Sequence, residues 1–152
     1  GYWRNPQATQ DAFVDHSPGR MGWFRSGDAG YLRDGYLFLH DRIKDMIVSG
    51  GENIYPAEVE NVLMQHPAVA DGAVFGVPDE RWGEAVKACV VPKPGSEASA
   101  QGIIEWMRER LAHFKCPSSV DFVEAIPRNP SGKILKRILR EPYWEGKERQ
   151  IN

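Results

Sequence analysis

Apolar and polar positions alternate with two different spacings, and the changes between them mark out the elements. Val59, Val62, Leu63 and His66 follow an i, i+3, i+4, i+7 stripe, which predicts a helix begun by Pro56 and ended by Pro67. Pro56 suits a first helical turn, where a missing N–H costs nothing, and Glu58 and Glu60 favour the positive end of the dipole. Ile103, Ile104, Met107 and Leu111 predict a second amphipathic helix over about 100–112, and a short third helix is expected over 134–140. Between the first two helices lie β-branched-rich runs at 68–77 and 85–91, the latter closed by Pro92-Lys93-Pro94-Gly95. Shorter strands are expected at 43–48, broken by Ser49-Gly50-Gly51, and at 120–123 after Pro117. Residues 22–40 read as β structure, because Leu32-Arg33-Asp34-Gly35-Tyr36-Leu37 sets an Asp-Gly turn between two β-prone arms. The expected fold class is α+β: a two- to three-stranded sheet with helices packed on one side, preceded by a β-hairpin.

Composition narrows the class. At 152 residues the chain holds one domain, or one domain and a fragment, and 41% hydrophobic content excludes a disordered tail. No apolar run approaches the roughly 18 residues of a membrane span. Residues 1–5 carry neither a basic nor an apolar leader segment, and the first methionine is Met21. Cys89 and Cys116 make no disulfide framework, and no CxxC or HExxH offers a metal site, so a soluble, reduced, cytoplasmic chain without a metal site is expected. Charge is uneven. From Arg128 onward the balance is +4 and over the remainder −6, which suggests a local anion site and not a nucleic-acid surface.

Four clusters could carry chemistry. Ser26-Gly27-Asp28 places a carboxylate beside a glycine, as an acceptor for a vicinal diol needs, although Gly-Asp is also a common turn. Asp41-Arg42-Ile43-Lys44-Asp45 has the charge density of a solvated linker, and Arg42 also offers a fixed fork of donors for ribose or phosphate oxygens. Ser49-Gly50-Gly51-Glu52-Asn53 permits close backbone approach of a ligand; a tight turn into the helix needs glycine equally. Asn129-Pro130-Ser131-Gly132-Lys133 is no P-loop, since the earlier glycine is missing and Ile134 replaces Ser or Thr. It leaves one lysine on a glycine-hinged loop, suited to neutralising charge on a transferring group. Lys136, Arg137 and Arg140 after it read equally well as a solvated helix face.

In their order and spacing these clusters resemble the C-terminal end of an AMP-forming acyl-CoA synthetase of the adenylate-forming superfamily. Gly22-Trp23-Phe24-Arg25-Ser26-Gly27-Asp28 resembles that family's aromatic-(Arg/Lys)-Thr-Gly-Asp motif, with Ser26 for the usual Thr. Asp41-Arg42-Ile43-Lys44-Asp45 and Gly50 to Glu60 resemble its hinge and the glycine loop after it, and Pro127 to Ile134 its C-terminal lysine motif. The resemblance implies that residues 1–40 end a large N-terminal domain lying mostly outside this chain, and that 41–152 form a mobile lid with its hinge at 42–45.

By the same resemblance, ATP and a carboxylic acid, fatty or otherwise hydrophobic, give an acyl-adenylate and pyrophosphate. CoA then displaces AMP. Lys133 is implied as the catalytic residue of the first step. Asp28, Arg42 and Asn53 are implied to contact the nucleotide, Asn53 being shorter than the usual Gln or Arg. Lys44 matches the hinge, and Gly50, Gly51, Glu52, Trp82, Phe114 and Lys115 the region that meets CoA, although Trp82 reads equally as a half-exposed packing aromatic. Cys116 and Ser118 replace residues that are basic in some members, and Val48 replaces a lysine near the phosphate. Mg2+ is expected with ATP, with ligands outside this chain, and the chain by itself is expected to be inactive. The alternatives are an adenylation domain that loads a carrier protein and a non-catalytic module that binds a partner or membrane through the basic helix at 134–140.

Overall fold

The computed structural model describes residues 1–14 and 22–147, so Met21 and the last five residues lie outside the described residues. The chain divides into two compact units, Gly1–Ile43 and Lys44–Asn152.

In the first unit, helix α1 (Pro6–Ala12) is capped by Asn5, whose side-chain oxygen accepts from the Ala8 N–H. Strands β1 (Phe13–Val14) and β2 (Trp23–Phe24) pair antiparallel, and β3 (Asp28–Arg33) and β4 (Tyr36–Arg42) form the expected hairpin. Its turn has positive φ at Asp34 (52°) and Gly35 (80°), the left-handed pair that a two-residue hairpin loop requires.

The second unit is built on five strands: β5 (Ile47–Ser49), β6 (Glu52–Ile54), β7 (Val69–Asp79), β8 (Gly83–Pro92) and β9 (Ser119–Phe122). The order is β6-β5-β8-β7, with β9 joining β8 in parallel. This sheet is wider than the two or three strands expected. The gain comes from Ser49-Gly50-Gly51, which turns β5 back on β6 as a hairpin, with Ile47 opposite Ile54, before the helix starts. Residues Ile43–Asp45, expected to open that strand, form a single 3₁₀ turn.

Helices lie on both faces, not one. On one face α2 (Pro56–Leu63) and α3 (Ala100–Arg108) bury Val59, Leu63, Ile103, Ile104 and Met107 against Val74, Val86, Ala88 and Val90. On the other, α4 (Lys136–Trp144) packs Leu139 and Tyr143 against a smaller cluster of Ala73, Phe75, Cys89 and Ile126. The unbroken apolar runs of β7 and β8 require this, since adjacent residues point to opposite faces and both need covering. Each fully buried Val, Leu or Ile contributes about 1.5–3 kcal/mol, so the larger cluster carries most of the unit's stability.

Three polar contacts tie the layers together. Glu60 on α2 accepts from the Val74 N–H (2.8 Å) on the outer edge of β7 and pairs with Lys136 at the start of α4 (2.9 Å). Lys136 is thereby a largely buried strut, not part of a solvated face. Lys87, almost buried on β8, donates to Asp121 (2.8 Å) on β9, which also accepts from the Tyr143 hydroxyl on α4. Those two hydrogen bonds hold the Asp121 carboxyl below its usual range, while burial and Asp121 push the Tyr143 phenol up. The Trp144 indole N–H donates to the Gly76 carbonyl (3.0 Å). With Tyr143 and Trp144 anchored, α4 runs through Pro142 to Trp144, beyond the residue 140 limit expected from sequence.

Candidate active site

In the first unit the hairpin register decides what Asp28 meets. A bulge between Ala29 and Gly30 shifts the pairing by one, so Asp28 stands opposite Arg42 and not Asp41. Arg42 Nη1 lies 3.3 Å from Asp28 Oδ1 and donates to the Ser26 carbonyl (2.8 Å). The Ser26 hydroxyl accepts from the Asp28 N–H, and Gly27 turns the chain at φ 78°. Two of the three implied nucleotide contacts thus sit side by side, one an acceptor of hydroxyl hydrogens and the other a fork of donors. Asn53 belongs to the second unit, exposed on β6 opposite Val48.

In the second unit the implied site residues collect at two places. The first is the loop that carries Lys133. Asn129 Oδ1 accepts from the N–H groups of Ser131 and Lys133 and from the Ser131 hydroxyl, while the Asn129 N–H donates to the Lys133 carbonyl. Arg128 braces the loop from below, donating to the Gly132 carbonyl (2.9 Å) and making two 2.8 Å bonds to Asp71. A bidentate pair of this kind fixes direction as well as distance. Lys133 is exposed, and its ammonium has no partner among the described residues. The loop is therefore a rigid mount for a free positive charge.

The second is a cleft of about 490 Å³, lined by residues that include Gly50, Glu52, Trp82, Arg108, His113 and Phe114. Gly50 (φ 59°) lies under the Trp82 indole, where an added Cβ would stand 2.9 Å from the ring, and its N–H donates to the Trp82 carbonyl (2.9 Å). Asp79 holds the β7–β8 turn by accepting from the Arg81 and Trp82 N–H groups, and the Arg81 guanidinium lies 4.4 Å over the Trp82 ring. Glu84, nearly buried, accepts from the Val48 N–H and fastens β5 to β8 behind the cleft. Burial pushes the Cys116 thiol up, and the positive charge of Arg108 opposes that shift.

Of the residues implied to meet CoA, this cleft gathers Gly50, Glu52, Trp82 and Phe114. Gly51 continues the same turn at φ 85°. Lys115 points elsewhere, bound to Glu58 at 2.6 and 2.8 Å. Sequence reasoning missed Arg108 and His113, which only the packing of α3 and the turn after it bring to the cleft. It also missed the pairing of Arg128 with Asp71, which lie far apart in the chain. Only the turn around Asn129 had a local signal, in Asn-Pro-Ser-Gly.

The two places lie at opposite ends of one hairpin. Asp71, which holds the lysine loop, is at the start of β7, and Asp79 is at its turn. At about 3.4 Å per residue the strand carries the chain roughly 27 Å between them.

Residues 58–133, half of the chain, match the model of the AMP-binding enzyme C-terminal domain. The chain belongs to this family. It is 54% identical over 143 residues to the long-chain-fatty-acid–CoA ligase FadD13 of Mycobacterium tuberculosis, covering 93% of this chain and 27% of that protein. It is 49% identical over 152 residues to the fatty acid–[acyl-carrier-protein] ligase ScoC of Streptomyces coeruleorubidus, covering 99% and 28%. Among solved structures it matches ATP-bound MatB of Rhodopseudomonas palustris at a TM-score of 0.84 and 38% identity, over 97% of this chain and 29% of that one. The chain thus spans just over a quarter of the length of these relatives.

Among the described residues no helix is long and apolar enough to cross a membrane. The basic helix α4 spends Leu139 and Tyr143 on its own sheet and Lys136 on Glu60.

Proposed function

We propose that the chain is the mobile C-terminal part of an ATP-dependent acid–thiol ligase, which adenylates a hydrophobic carboxylic acid and passes the acyl group to CoA. One observation carries this reading. A free lysine and an aromatic-walled cleft sit at opposite ends of one rigid hairpin, so a single small unit offers two different surfaces to one reaction centre in turn.

In the first step Lys133 bridges the substrate carboxylate and the α-phosphate oxygens, lowering their repulsion as the carboxylate oxygen approaches phosphorus and pyrophosphate leaves. Asp28 accepts hydrogen bonds from the ribose hydroxyls, Arg42 reaches the same sugar, and Asn53 approaches the phosphate. ATP brings Mg2+, whose ligands belong to the N-terminal domain. In the second step the unit turns about residues 42–45, withdrawing Lys133 and presenting Gly50, Gly51 and Glu52 to the pantetheine arm, with Trp82 and Phe114 beyond. The CoA thiolate attacks the acyl carbon, the carbon–oxygen bond to the phosphate breaks, and AMP leaves. The boundary between the compact units, at Ile43 and Lys44, supports a hinge there.

A carrier protein is the second reading, favoured by the 49% identity to ScoC along nearly the whole chain. The test uses the full-length protein that carries these residues, with a fatty acid, ATP and either CoA or a carrier protein bearing phosphopantetheine. Acyl-CoA formation supports the first reading; acyl transfer to the carrier alone overturns it for the second. The 152-residue chain by itself should show no ATP–pyrophosphate exchange, because the phosphate loop and acyl pocket lie outside it, and measurable exchange would contradict this division of labour.

A further inference from the structure

Three cations stand in the nine residues 128–136, and the fold treats them unequally. Arg128 is bound by both oxygens of Asp71 at 2.8 Å, and Lys136 by Glu60 at 2.9 Å, with side chains only 12% and 18% exposed. Lys133, between them, has no partner among the described residues. The entry and the exit of the lysine loop are therefore each held by a carboxylate from another element. Those carboxylates are fixed in turn, since Asp71 Oδ1 accepts from the Gly72 N–H (2.9 Å) and Glu60 Oε1 from the Val74 N–H (2.8 Å). Both clamps thus refer the lysine to one strand, β7. Backbone pairing closes the loop between them: Arg128 bridges to Ile134, and the Leu135 N–H donates to the Pro127 carbonyl (2.8 Å). Past that point the chain enters α4 at Leu135, which supplies no capping side chain to fix the first turn. Lys136 is the first residue of that turn, and its ion pair does so instead.

Resting on the adenylation role proposed for Lys133, we propose that Glu60 and Lys136 are a positioning pair for that step. The pair fixes where α4 leaves the loop, three residues after Lys133, and so aims the free ammonium without touching substrate. It also withholds the charge of Lys136, so that a single cation is presented to the reacting anions.

The test uses the full-length protein that carries these residues, with ATP–pyrophosphate exchange and thioester formation from supplied acyl-adenylate measured separately. Glu60→Gln keeps an acceptor for the Val74 N–H but gives up the charge that holds Lys136. It should lower kcat for exchange roughly tenfold, move KM for ATP less than about threefold and leave thioester formation unchanged, since misplacement by about 1 Å can cost up to 10²-fold. Lys136→Met should lose as much, and Lys136→Arg should recover part of it. In a Lys133→Ala background Glu60→Gln should add no further loss, because the pair acts through that lysine. A purely structural role would instead multiply with Lys133→Ala and depress both half-reactions. Should the single variants fail to fold, Glu60→Gln with Lys136→Met removes both charges and leaves neither buried alone, and the same selective loss is expected of it. Wild-type exchange in these variants, or equal losses in the two half-reactions, would overturn the role of the pair. Unimpaired exchange by Lys133→Ala alone would instead overturn the reading of Lys133 on which it rests.

Discussion

The two ends of the β7–β8 hairpin are built on opposite principles. At the Asp71 end the backbone is over-determined: Asn129, Arg128 and Asp71 fix a five-residue loop through eight hydrogen bonds, while the ammonium of Lys133 has no partner among the described residues. At the Asp79 end the fixed parts frame an empty volume, with a glycine under a tryptophan and a buried glutamate behind. On the proposed reading, one end delivers a charge to a point and the other receives an extended molecule. If the proposed roles hold, the difference teaches that a lysine acting at a reaction centre needs a stiff mount and open surroundings, whereas the wall of a ligand channel needs residues too small to obstruct it.

The comparison breaks most visibly at Lys133. Lys133→Ala in the full-length protein should lower acyl-adenylate formation by about 10²–10³-fold, the scale seen when one preorganised charge or donor is removed. Pyrophosphate exchange reads this directly. Thioester formation from supplied acyl-adenylate should change little.

The mirror substitution is Gly50→Val. It adds a Cβ against the indole at a left-handed φ, displacing Trp82 into the cleft. The expected loss is roughly tenfold or more in the thioester step, since about 1 Å of misplacement can cost up to 10²-fold. Adenylation should be spared. Lys44→Pro sharpens the comparison from outside both ends, because a fixed φ restricts the turn of the unit. About a tenfold loss confined to thioester formation is expected, checked by measuring both half-reactions; an unimpaired second step would remove Lys44 from the hinge.

How much of this was legible in the sequence depends on range. The Asp-Gly turn gave the β3–β4 hairpin, but not the partner of Asp28: counted from the turn without interruption, Asp28 would face Asp41, and only the bulge at Ala29 and Gly30 brings Arg42 opposite. Periodicity found α2, α3 and the long strands, whose stripes are extended enough to read. The strand expected at 43–48 caught only the start of β5, and β6 was missed: each is three residues, too short to show a period, and the glycine pair folds one onto the other. Which lysines were free was equally hidden. Lys136 and Lys115 look like their exposed neighbours until Glu60 and Glu58 are brought to them by the packing of α2.

The smallest expected effect concerns the scaffold between the ends. Asp121→Asn weakens the acceptor that partners nearly buried Lys87 and should cost about 1–3 kcal/mol, measured by urea unfolding of the full-length protein. The carboxyl's depressed native pKa means that its contribution is complete above the ordinary carboxylate range. It fades as pH falls through the lower native value. Wild-type stability should therefore drop on acidification in that window, and Asp121→Asn should flatten that part of the profile.

The most direct measurement sets the two ends against each other in one experiment: both half-reactions, assayed separately for full-length Lys133→Ala and Gly50→Val. A crossed pattern is expected, with Lys133→Ala defective in adenylate formation and competent in thioester formation, and Gly50→Val the reverse. If either substitution depressed both half-reactions equally, the assignment of the two ends to two successive steps would be wrong.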